Sequence, residues 1–90
     1  MTNMIEEINL AIKFAKEKKN FDALARLDIA AKQLNDLGYL VRDDKVKLKK
    51  IRKVHIFMAR AAGNIDIDKL KRFIADLTIA RALIKKFGLE

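Results

Sequence analysis

Residues 43–63, DDKVKLKKIRKVHIFMARAAG, decide the fold. Val46, Leu48, Ile51, Val54, Phe57, Met58, Ala61 and Ala62 recur at spacings of three and four, a period that only an α-helix gathers on one face. Asp43 and Asp44 in front of that run supply an N-cap oxygen and negative charge at the positive end of the helix dipole. Gly63 behind it is a residue that reaches the left-handed C′ conformation at little steric cost. The stretch therefore predicts an amphipathic helix over 43–62, closed by glycine.

The same reading extends in both directions. Downstream, Ile67, Leu70, Phe73, Ile74, Leu77, Ala80, Ile84 and Phe87 keep the helical period, with Asp66 and Asp68 placed to open the segment and Gly88 to stop it, which predicts a helix over 66–87. Upstream, Ala23, Leu24, Leu27, Ala30, Ala31, Leu34 and Leu37 lie between a capping Asn20 and Gly38 and predict a helix over 21–37. Met4, Ile5, Ile8, Ala11, Ile12 and Ala15 predict the first, over 3–19. Short connections make consecutive helices antiparallel. The expected fold is all-α, a compact antiparallel helical bundle of about four helices, and a chain of 90 residues holds one such core, so 1–90 is expected to be a single domain.

The glycines fall 25 residues apart, which prompts a search for a repeat. A shift of 50 lays the second segment on the fourth, matching Ala25/Ala75, Leu27/Leu77, Ile29/Ile79, Ala30/Ala80 and Gly38/Gly88. The first and third segments align best at 43, through Ile8/Ile51 and Phe14/Phe57. Unequal shifts argue for shared helical periodicity in place of duplication, and the 34-residue period of tetratricopeptide repeats is absent.

Charge is concentrated in the third segment. The chain carries +8 overall, and residues 42–60 hold eight basic against two acidic residues, a net of +6. On a helical projection Lys45, Lys49, Arg52, Lys53 and Arg60 fall together opposite the apolar stripe, with Ile56 among them. A surface built only for solubility intersperses both signs, yet no Asp or Glu occurs between Lys45 and Gly63. A cationic strip can follow a phosphate backbone by displacing condensed counterions, with strong salt dependence and little sequence preference. Ala59 and Gly63 have the spacing found at a helix-turn-helix turn, but Lys69 stands where that motif needs an inward apolar residue.

Catalytic and metal chemistry is poorly supplied. There is no cysteine and no serine, a single histidine (His55) projecting to the edge of the third stripe, and only Thr2, Thr78 and Tyr39 as hydroxyl groups. The aspartate pairs are placed to cap helices, and no Gly-rich phosphate loop, zinc spacing or Glu-x-x-His pair is present. The expectation is a binding protein and not an enzyme, with no catalytic residues, no metal, no cofactor and no small-molecule substrate. No apolar run approaches the length needed to span a bilayer, and Glu6 and Glu7 break the start of the chain before a signal-like apolar stretch forms, so a cytoplasmic location is expected. Abundant Ile and Lys with one Gln and no Cys give the composition a thermophile-like cast.

Ile29, Ile79 and Leu83 project away from the main stripes of their helices. They mark either wide buried arcs or an interface with another chain, including a homo-oligomer. Two functions are therefore expected. The first is a small accessory or adaptor subunit that binds DNA or RNA without sequence preference, or a replication, repair or transcription complex, through Lys45, Lys49, Arg52, Lys53 and Arg60. The alternative is a protein–protein or oligomerisation module with an acidic partner and no nucleic-acid contact.

Overall fold

The apolar stripes fold as their spacing predicts. A computed structural model describes residues 3–90, and among them the chain forms four helices: α1 (Met4–Lys16), α2 (Asn20–Leu40), α3 (Lys45–Asp66) and α4 (Leu70–Phe87). Met4, Ile8, Ala11 and Ala15 of α1 meet Ala23, Leu27, Ala30 and Leu34 of α2, and these meet Ile51, Val54, Met58, Ala61 and Ile65 of α3 and Phe73, Leu77, Ala80 and Ile84 of α4 in one buried cluster. Each helix packs on two neighbours, α1 and α3 both lying against α2 and α4, and among the described residues the backbones of neither diagonal pair come close. Asn20 Nδ2 donates to Asp68 Oδ1 at 3.0 Å, which brings the α1–α2 and α3–α4 turns to the same end of an antiparallel square bundle.

Two of the three expected glycine stops are corrected by the structure. Gly38 and Gly63 lie inside α2 and α3, which run on to Leu40 and Asp66. A glycine inside a helix costs about 1 kcal/mol, but α3 gains a fifth buried apolar position at Ile65 by continuing, worth about 1.5–3 kcal/mol. The true left-handed stops are Lys18 (φ 60°), Asp68 (φ 58°) and Gly88 (φ 65°). At each, paired backbone hydrogen bonds close the last turn: Lys18 N–H to Ala15 O with Lys19 N–H to Phe14 O, Asp68 N–H to Ile65 O with Lys69 N–H to Asn64 O, and Gly88 N–H to Lys85 O with Leu89 N–H to Ile84 O.

The expected caps divide in the same way. Asp44 caps α3, its carboxylate accepting from Lys47 N–H at 3.1 Å. Asp66 and Asp68 do not open α4: the first ends α3, the second is the left-handed turn residue, and α4 starts after Lys69 without a side-chain cap. Asn20 is the first residue of α2 and not its cap, and its side chain is used to tie the two turns together. Val46 (66% exposed) and Ile67 (61%) leave the core because one sits in the first turn of α3 and the other in the α3–α4 turn.

A single shift of 50 relates the two halves around their turns and along the first half of α2 and α4, in place of the separate shifts of 43 and 50. Residues 11–20 and 61–70 end a helix, turn and restart at matching positions, and residues 21–30 and 71–80 share the same burial at every position. The molecule is two copies of one hairpin plan, α1–α2 and α3–α4, related by an approximate twofold along the bundle.

Candidate nucleic-acid interface

The core-facing residues of α3 fix where its cations go. Ile51, Val54, Met58, Ala61 and Ile65 turn inward, which puts Lys45, Lys49, Arg52, Lys53 and Arg60 on the opposite face, and all five are exposed. At a rise of about 1.5 Å per residue, Lys45 to Arg60 spans roughly 22 Å of helix. Among the described residues none of the five is in a salt bridge; the ion pairs are Lys19 with Glu17 at 3.4 Å and Arg26 with Glu7 at 3.3 Å. Ile56, 52% exposed, lies within the strip as the projection places it.

The strip works against the stability of its own helix. Lys45 and Lys47 occupy the first turn, where the macrodipole is positive and no acidic residue within the turn offsets them, the nearest being Asp43 and the Asp44 cap in front of it. Lys45, Lys49 and Lys53 follow one another at four-residue spacing, and like charges so placed repel by a few tenths of a kcal/mol per pair. Lys50 belongs to the same run of sequence but not to the strip, because its ammonium lies 5.7 Å from the ring centre of Phe87, toward α4.

Two further features lie at the ends of the strip. At one end, beside the α2–α3 connection, Arg42 lies 4.4 Å from the ring centre of Tyr39 and donates to the Tyr39 carbonyl at 2.9 Å, leaving an exposed aromatic and a cation side by side. At the other, Arg60 packs over Phe57 at 5.4 Å and lines a shallow groove of about 540 Å³ between α3 and α4 together with Gly63, Asn64, Arg72 and Asp76. Asn64 Nδ2 donates to Asp76 Oδ2 at 2.7 Å along that groove, so the aspartate is already engaged. Periodicity within one helix could not link Arg72 to Arg60, and Tyr39 reads from sequence as an isolated aromatic.

No family model, curated protein or solved structure matches the chain.

The residues expected at a protein interface separate. Ile29 and Ile79 are exposed, at 41% and 42%, at equivalent positions of α2 and α4 on the outward faces of those helices. Since α2 and α4 are diagonal in the bundle, the two isoleucines point to opposite sides of the molecule. Leu83 is half-buried and packs against the core. His55 is exposed rather than at a core edge. Glu7, treated from sequence only as an interruption, is buried in the α1 face, where Arg26 donates to both of its oxygens at 3.3 and 3.5 Å. Its position was legible: it stands three residues after Met4 and four before Ala11, on the buried stripe. No described helix is long and apolar enough to cross a membrane, and among the described residues no cluster of His, Cys, Asp or Glu could hold a metal ion.

Proposed function

We propose that the chain is a small basic accessory protein that binds nucleic acid, alone or within a nucleic-acid-processing complex, through the outward face of α3. The observation that carries the reading is the five-residue strip Lys45, Lys49, Arg52, Lys53 and Arg60, exposed and free of salt bridges among the described residues on a helix that it destabilises. Cations kept at a cost to the helix have their use outside it. A phosphate backbone laid along the strip gains from counterion release and meets no base-reading groove element, so binding is insensitive to sequence. Tyr39 beside Arg42 adds a surface on which an unpaired base can stack. The role assigned is binding, with no catalytic residue, metal or cofactor.

Fluorescence anisotropy with labelled single strands and duplexes tests it. The expected result is micromolar or weaker binding that is the same for unrelated sequences, with log affinity falling against log salt at a slope of about −4.5 for duplex DNA, corresponding to five phosphate contacts. Absence of binding to DNA and RNA at low salt overturns the reading.

A further inference from the structure

The outward faces of α2 and α4 carry the same apolar centre and opposite charges. On α2 the exposed residues Asp22, Ile29 and Asp36 are spaced by seven, and on α4 so are Arg72, Ile79 and Lys86. Seven residues are close to two helical turns, so each trio stays on one seam. Ala25 and Ala75, equally exposed beside the isoleucines, keep both seams low and allow close helix approach. Among the described residues none of the four charged side chains is in a salt bridge.

We propose that the partner of these faces is a second copy of this chain, the α2 face of one molecule docking on the α4 face of the next. With Ile29 against Ile79, the equal spacing sets Asp22 against Lys86 and Asp36 against Arg72 when the two helices run antiparallel. The same face cannot pair with its own copy, because aspartate would meet aspartate or cation would meet cation. The contact is therefore heterologous. Because the two faces lie on opposite sides of the bundle, each molecule has one of each left to offer, and association continues into an open chain in place of stopping at a dimer. The surface uses none of the five α3 strip residues and stands whether or not the chain binds nucleic acid.

Sedimentation velocity on nucleic-acid-free protein, from micromolar to millimolar, tests the proposal. The wild type is expected to form species that grow past dimer with concentration and shrink with added salt. The variants D22K/D36K and R72E/K86E are each expected to lose self-association by about tenfold or more, since every contact then sets like charges opposite each other. Mixed in equal amounts they are expected to associate again, because the basic α2 and α4 faces of the first variant now meet the acidic α4 and α2 faces of the second. All four positions are exposed, and unchanged circular dichroism melting checks that the fold is intact; Ile79→Ser, which leaves the charges in place, is expected to weaken association as well. A wild type that stays monomeric at millimolar concentration overturns the proposal. So do a species that stops at dimer, charge-reversed variants that associate like the wild type, and a mixture that stays monomeric.

Discussion

The α1–α2 and α3–α4 hairpins follow one backbone plan about their turns, with left-handed residues at Lys18 and Asp68 and most of their buried positions in register, yet they place different chemistry on it. Residues 3–40 carry six basic and six acidic side chains, whereas residues 41–90 carry fourteen basic and six acidic, so the whole net charge of +8 belongs to the second hairpin. The fold asks only for the apolar register, which both hairpins keep. A charge that one half of the same architecture does without is not a requirement of that architecture, which is what motivates the proposal that the α3 strip serves binding.

The cores of the two hairpins also differ, and the difference is complementary. At the end of the bundle where the two turns lie, the first hairpin supplies Ala15 and Ala23 and the second Ile65 and Phe73, all four at most 5% exposed. Large residues from one half fill the space left by small residues of the other. Phe73→Ala is expected to cost about 4 kcal/mol by urea denaturation, the largest single effect in the molecule. The swap A23F/F73A is expected to recover more than half of that loss, since it moves the ring to the equivalent position across the twofold. A swap no more stable than Phe73→Ala alone would show that the two hairpins are not interchangeable in packing.

Charge removal separates the hairpins next. Glutamine at all five strip positions is expected to weaken duplex binding by about 100-fold at low salt, and glutamine at Lys13, Lys16, Lys18, Lys19 and Lys32 of the first hairpin by no more than about threefold. Equal losses would make the interaction a response to bulk charge, with no strip. A smaller asymmetry concerns Glu7 and Arg26, a pair for which the second hairpin has Phe57 and Asp76 at the matching positions. Arg26→Ala removes the guanidinium that faces a carboxylate 1% exposed, and because the arginine itself is partly exposed the expected cost is about 2 kcal/mol, below that of a fully buried pair.

The four helices and the α3 strip were legible because both depend on period alone: a stripe of apolar residues sets which side faces in, and exposure of the other side follows. What depended on one residue's backbone angle was legible at Gly88 and not elsewhere. Gly38 and Gly63 read as stops, while the chain turns at Lys18 and Asp68, where sequence gives no such signal. The shift of 43 between the first and third segments was misleading for a related reason. Ile8 resembles Ile51 in type, but the repeat puts Ile8 level with Met58, and apolar residues replace one another freely in a core so long as they stay inward.

That misreading yields the gentlest test of the comparison, because it assigns opposite signs to glycine at different sites. Lys18 holds a left-handed angle that costs an L-residue about 1–2 kcal/mol, so Lys18→Gly is expected to stabilise the protein by about 1 kcal/mol after glycine's extra unfolded-state entropy is allowed for. Gly88, at φ 65°, is the reverse case, and Gly88→Ala is expected to destabilise by about 1 kcal/mol. Gly63 sits in a helix with open space where a Cβ would stand, and a Cβ on Gly38 would meet Ile51 Cγ2 at an ordinary 3.7 Å. Alanine at either is therefore expected to stabilise by about 1 kcal/mol. The double variant K18G/G63A moves the glycine from where it is wasted to where the chain turns, and its gain is expected to equal the sum of the two, because the sites lie in separate hairpins and share no partner. If Gly63→Ala instead lowers the denaturation midpoint, α3 does not run through residue 63 in solution, and the two hairpins do not share one plan at their turns.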